Sequence, residues 1–208
     1  MNNYFATKKY SRTNLLRAIC VVACLLVMPR VAAADFFFAT LTGPGENPPN
    51  ASTATGTALV EMDLGLNFLR VQVQFNGLTG GNAIAAHIHA RVAPPNNVGV
   101  AVGAVGFPAA TSGVYDMTFD TTLVGTYSGA FVVANGGTAA GAEQALFNAL
   151  IAGEAYFNIH NATFPGGEIR GFFNAVPEPS SWYILAIGVA GVALLRCRSR
   201  RAVIVAKC

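Results

Sequence analysis

FLRVQVQF, residues 68–75, sets the fold class of this chain. Successive side chains of a strand point to opposite faces, so Leu69, Val71, Val73 and Phe75 share one face and Arg70, Gln72 and Gln74 the other. Apolar on one side and polar on the other is the pattern of an antiparallel sheet with one face on a core and one in water. Working outward, residues 55–63 form a strand before it, with a reversal around Gly65 and Asn67 between the two. Residues 36–42 form an earlier strand, followed by GPGENPPN (43–50), a turn whose prolines cannot sit in a central strand. On the other side NGLTGGN (76–82) is a turn, and AIAAHIHA (83–90) is the next strand.

Beyond it, residues 91–112 are rich in Gly, Pro and Asn, with one short strand expected at 98–105. Strands are expected at 114–119 and 128–134. In TAAGAEQALFNALIA (138–152), Ala142, Leu146, Ala149 and Leu150 recur at helical spacing, with Thr138 placed as N-cap and Gly153 as the stop. Residues 154–160 and 167–173 close the domain as two strands joined by a turn containing Pro165, Gly166 and Gly167. Many short strands, frequent turns and one short helix give an all-β domain, an antiparallel sandwich or barrel with Greek-key-like connections, over residues 35–174.

Composition narrows the function classes. The whole chain is formally +3, but within 35–174 only Arg70, Arg91 and Arg170 stand against nine carboxylates, a formal charge of −6 with neutral histidines. Nucleic acid, which is bound by clustered Lys and Arg, is excluded as a partner of this domain. The four cysteines, Cys20, Cys24, Cys197 and Cys208, all lie outside it. The domain therefore holds no disulfide, no thiolate metal ligand and no cysteine nucleophile. Ser, His and Asp occur without a nucleophile elbow, so a hydrolase triad has no local support.

The two ends read as targeting segments. Residues 1–34 have a basic front (Lys8, Lys9, Arg12, Arg17), an apolar core at 18–28 and small residues up to Ala34, the pattern of a secretory signal peptide cut after Ala34 by signal peptidase. The apolar core, at about 11 residues, is shorter than the roughly 20 that span a bilayer. At the other end, residues 175–181 form a linker carrying Pro177, Glu178 and Pro179; an apolar helix and an arginine cluster follow over 182–201, and residues 202–208 are a tail. The triad, helix and arginines resemble the PEP-CTERM sorting signal of Gram-negative bacteria. That resemblance implies transient anchoring at the inner membrane by a transmembrane helix, processing by an exosortase-like enzyme, and a final place at the cell surface or outside the cell. The apolar run 182–195 is about 14 residues, or about 21 Å of helix against a hydrocarbon core near 30 Å, which suits a temporary anchor.

The chain has three histidines. On a strand, His87 and His89 share a face with Ala83 and Ala85, their Cα atoms roughly 6.5 Å apart, while Ile84, Ala86 and Ile88 share the other. By the same parity Tyr156, Asn158 and His160 share a face. Three imidazoles without a thiolate suit copper or zinc, so His87, His89 and His160 are candidate ligands of one ion, its binding expected to fade below about pH 6 as the rings protonate. The alternative is that they are sheet residues hydrogen-bonded to backbone. Glu168 and Arg170, with Asn158, are candidate supporting residues, the first two expected in cross-strand ion pairs. Glu46, in the ENPP turn, is either a turn carboxylate or a ligand in a carbonyl-rich cation site.

FFFATLTGPGENPPNASTATGTA (36–58), AAHIHA (85–90) and AYFNIHNATFPGGEIRG (155–171), in this order, resemble the CHRD domain, the module named after chordin. The chain departs from that family in having Ala90 and Arg91 after the His-x-His pair, where glycine is usual, and Asn161 after the last histidine, where threonine is usual. The resemblance implies an extracellular module and little more about function. The first expectation is a non-enzymatic surface or matrix binding domain with exopolysaccharide or another surface protein as partner, and the alternative is a three-histidine copper or zinc domain with redox activity. A His-x-His pair followed by a distant histidine is also similar to the copper ligands of Cu/Zn superoxide dismutases, although the loop after Arg91 lacks a bridging histidine and a zinc-ligand set.

Overall fold

A computed structural model describes residues 34–177; the segment before Ala34 expected as a signal peptide and the segment from Glu178 onward expected as a sorting signal lie outside the described residues. The alternating stretch is strand β3 (Phe68–Asn76), the third of a meander with β1 (Asp35–Thr42) and β2 (Thr55–Asp63). Its inward face is as expected, since Leu69, Val71, Val73 and Phe75 are all buried. They meet Phe37, Ala39 and Leu41 of β1 and Ala58, Val60 and Met62 of β2 in one apolar core. Fully burying a Val, Leu or Phe side chain stabilises by roughly 1.5–3 kcal/mol, so this face fixes the register: a slip of one residue would turn it to water.

The remaining strands are β4 (Ala83–Ala90), β5 (Val100–Gly103), β6 (Gly113–Asp120), β7 (Ala155–Asn161), β8 (Ile169–Phe172) and the short β9 (Asn174–Ala175). They make one antiparallel sheet in the order β5-β4-β7-β8-β1-β2-β3-β6, with β9 beside β1, curled into a half-barrel. The all-β expectation is met, on the barrel side of the two forms considered. Strand β8 joins the two halves of the sheet, pairing with β7 on one side and with β1 at Thr42 on the other.

There are two helices among the described residues where one was expected. Helix α2 (Ala139–Ala152) follows the sequence closely: Thr138 caps it by accepting from the Gly141 amide at 3.1 Å, its four periodic residues are buried, and Gly153 ends it in the left-handed conformation. Residues 128–134, expected as a strand, instead form helix α1 (Gly129–Ala134). Ser128 accepts from the Phe131 amide at 3.2 Å as an N-cap, and that local bond outweighs the β preference of Phe131, Val132 and Val133.

A second correction concerns β4. Ile84 was expected to share a face with Ala86 and Ile88, but it is 66% exposed while they are buried. The register against β7 shifts between Ala83 and Ala85, and the extra residue bulges outward. At the other end of β4, Arg91 stands where the family usually has glycine. It takes φ 74, and its amide and that of Val92 both donate to the Glu154 carbonyl. Two hydrogen bonds hold a conformation that a non-glycine residue adopts at a cost of about 1–2 kcal/mol.

Candidate metal centre

Strands β4 and β7 lie side by side with His87 opposite Asn158, His89 opposite Tyr156 and Ala85 opposite His160. Their core-facing residues, Ala86, Ile88, Phe157 and Ile159, are buried in the apolar interior. The alternate residues His87, His89, Tyr156, Asn158 and His160 therefore gather on the opposite face. This brings the three histidines together: one ring nitrogen from each lies within 4.8 Å of the others. His87 Nδ1 is 3.1 Å from His160 Nε2, and the three ring centroids are 5.0 to 6.4 Å apart. His89 is buried; His87 and His160 are half-buried.

Two rings are oriented by main-chain carbonyls. His89 Nδ1 donates to the Val98 carbonyl at 2.7 Å, and His160 Nδ1 donates to the Pro165 carbonyl at 2.9 Å. A carbonyl oxygen can only accept, so in both rings the proton sits on Nδ1. Burial pushes all three histidines below their usual value, His87 to about 4, with the neighbouring His160 and His89 adding to the effect there. The lowered values favour neutral rings at pH 7, so His89 and His160 each present an Nε2 lone pair, that of His160 standing 3.1 Å from His87 Nδ1. Both lone pairs face the Asn158 side-chain oxygen, at 3.1 Å and 3.0 Å. A ring N–H held by a backbone carbonyl with the other nitrogen free is the arrangement that orients metal-binding histidines.

Around this face the loops supply a shell. The Tyr156 ring stacks on His89, with centroids 4.6 Å apart and planes 5° from parallel. Arg170 lies over the other side, its guanidinium 4.7 Å from the Tyr156 centroid. It donates to the Gly45 carbonyl at 2.8 Å, to Asn97 at 2.6 Å and to the Pro95 carbonyl at 3.0 Å, tying the 43–50 and 91–99 segments to the sheet. The carboxylate nearest Arg170 is Glu46, at 3.8 Å. Glu46 is buried, its Oε1 has no hydrogen-bond partner, and burial raises its carboxyl to about 7 against the opposing pull of Arg170. That oxygen and Asn158 Nδ2 crowd the same spot, where a side chain at Gly167 would strike both.

Glu168 plays a different part from the one expected. It makes no ion pair among the described residues. Its carboxylate accepts from Ser52 at 2.6 Å, from the Thr79 amide and hydroxyl at 2.6 and 2.8 Å, from the Gly80 amide at 3.2 Å, and from Asn161. Burial acts to raise its carboxyl, but these hydrogen bonds together hold it below the usual carboxylate range. Arg170 likewise finds its carboxylate in a turn, not on a neighbouring strand. Asn161 also accepts from the Phe164 amide at 2.9 Å, so Glu168 and Asn161 shape the turn that presents the Pro165 carbonyl to His160. Side-chain parity along the two strands singles out the three histidines and Asn158. The Val98 and Pro165 carbonyls and the closeness of Glu46 carry no sequence signal, because they depend on how two irregular loops fold back over the sheet.

No curated protein and no solved structure matches the chain. The CHRD domain profile matches residues 37–173, from β1 through the residue after β8, and so takes in both histidine strands and the Arg170 shell. The chain belongs to the CHRD domain family.

Proposed function

We propose that the protein is an exported binding module that acts at the cell surface of a Gram-negative bacterium, with exopolysaccharide or another surface protein as its partner. The observation that supports this is the match to the CHRD domain over residues 37–173, an extracellular-type module, between a signal-like segment that ends at Ala34 and a sorting-like segment that begins at Pro177. Among the described residues no helix is long and apolar enough to cross a membrane; the apolar run 182–195 lies outside them. Replacing Pro177, Glu178 and Pro179 together by alanine is expected to leave full-length precursor in the inner membrane, read by fractionation and immunoblotting. Unchanged release of a shortened protein would sink the sorting reading.

A second reading is favoured by one specific observation, the convergence of three neutral imidazoles with two tautomers fixed by carbonyls. In it the domain binds copper or zinc through His87, His89 and His160. A ligand that binds only the folded state stabilises it by about 2.7 kcal/mol at a hundredfold excess over its dissociation constant. Thermal melting of the untagged exported protein should therefore rise by several degrees with added zinc or cupric ion, and His160→Ala should abolish the rise. No shift in the wild-type protein with either ion would rule this reading out.

A further inference from the structure

The Asn158 amide has its own orientation problem, and its solution adds a ligand to the centre. Asn158 Nδ2 donates to the Gly166 carbonyl at 3.4 Å. The Gly166 carbonyl can only accept, which places the N–H end of the amide toward it and Oδ1 toward the histidines. There it lies 3.1 and 3.0 Å from His89 Nε2 and His160 Nε2, the second of which is also 3.1 Å from His87 Nδ1. With both rings protonated on Nδ1, the amide oxygen and the two Nε2 atoms are all acceptors, and a cation among them would satisfy all three at once.

The spacing fits a shared ion. Ligands about 2.0 Å from a metal stand roughly 3.3 Å apart in a tetrahedron and about 2.8 Å apart in a square plane. Three of the separations, 3.0 and 3.1 Å from Asn158 Oδ1 and 3.1 Å between His160 and His87, fall between the two, and the histidine nitrogens as a set, within 4.8 Å of one another, would close in slightly on an ion. His87 is the adaptable member: no backbone carbonyl among the described residues fixes its ring, so its proton can move to Nε2 and free Nδ1. We infer that Asn158 Oδ1 is a fourth ligand, and that with this hard oxygen beside three imidazoles the centre takes zinc or cupric ion in preference to cuprous ion. The inference rests on the three-histidine metal reading above.

The test compares wild type, Asn158→Ala and Asn158→Asp, all untagged, by competition titration with zinc, with cupric ion, and with cuprous ion under a reductant. Asn158→Ala should bind zinc and cupric ion at least tenfold more weakly and cuprous ion within about threefold of wild type, and the visible spectrum of bound cobalt(II) should shift. Asn158→Asp keeps Oδ1 but loses the Nδ2 donor to Gly166. As a ligand it should bind zinc at least as tightly as wild type, whereas a purely structural asparagine would make it as weak as the alanine variant. Melting of each variant without metal separates a lost ligand from a lost fold. Wild-type binding that Asn158→Ala leaves unchanged, or equal losses for cupric and cuprous ion, overturns the inference alone. A wild-type protein that binds neither zinc nor copper overturns the metal reading as well.

Discussion

Glu46 and His87 make opposite demands on protons from opposite sides of Asn158. The His87 imidazole is held at about 4 in the fold, against 6.5 in an ordinary histidine. Between those values the unfolded chain binds a proton that the folded chain refuses, so this contribution to stability is present above about 6.5 and is lost as pH falls toward 4. Glu46 runs the other way. Its carboxyl is raised from 4.5 to about 7, so the fold keeps a proton the unfolded chain releases, and that contribution is present below 4.5 and lost as pH rises through 7. Glu46→Gln removes the second effect. Relative to wild type, the variant should gain on the order of 1–3 kcal/mol between pH 5 and pH 8.5, measured by urea unfolding at both values. A difference that does not change with pH would contradict the raised carboxyl. The depressed histidines also move the expected pH of metal release below the value of about 6 that free imidazoles suggest, because protons compete less well for rings already held neutral.

At the scale of elements, the seam between β8 and β1 matters most to the site. Strand β8 carries Arg170, and a single residue later Gly171 sits opposite Phe157 of β7 with its Cα against the Thr40 backbone carbonyl of β1. A methyl group there would run into main chain, which cannot swing aside as a side chain can. Gly171→Ala should therefore destabilise the domain by about 2–3 kcal/mol and lower its melting temperature by several degrees, whereas Gly103→Ala in β5, where a methyl group meets open space, should change it little. Equal melting temperatures for the two variants would show that the seam relaxes. Length separates the two helices: α2 is legible in the sequence and α1 is not. Helix α2 lies over the sheet with a full periodic stripe of Ala142, Leu146, Ala149 and Leu150, but α1 is six residues long, too short for a period to show, and is set by one serine cap.

Over the whole domain, one sheet carries both the core and the candidate centre on its opposite faces. Strands β4 and β7 contribute Ala86, Ile88, Phe157 and Ile159 to the interior and His87, His89, Asn158 and His160 to the other side. Because the apolar core reaches from β1 to α2, an ion held on β4 and β7 would stabilise the domain as a unit. The zinc or copper effect predicted above should thus appear as a shift of the whole melting transition. Two separate transitions, only one of them metal-sensitive, would show instead that the β5-β4-β7-β8 half melts by itself. The formal charge of −6 over residues 35–174 favours attraction of cations from solution and disfavours polyanions.

The features readable from the residues alone follow from short-range physics. Strand alternation set the inward faces of β1 to β3, helix periodicity and the Thr138 and Gly153 caps set α2, and the parity of His87, His89, Asn158 and His160 set one face for each pair. Those features depend only on the geometry of a residue and its next few neighbours. Tertiary structure alone decided that the two histidine strands are adjacent and in a register that overlays their polar faces, that Ile84 bulges out, and that Glu168 is held by hydroxyls and amides from residues 52, 79 and 80. It also decided the tautomers of His89 and His160, since the carbonyls of Val98 and Pro165 reach them from irregular loops. The physical reason is that a strand carries its side-chain directions in its own sequence, whereas pairing partners, register and loop placement are settled only when the entire apolar face of the sheet is buried at once.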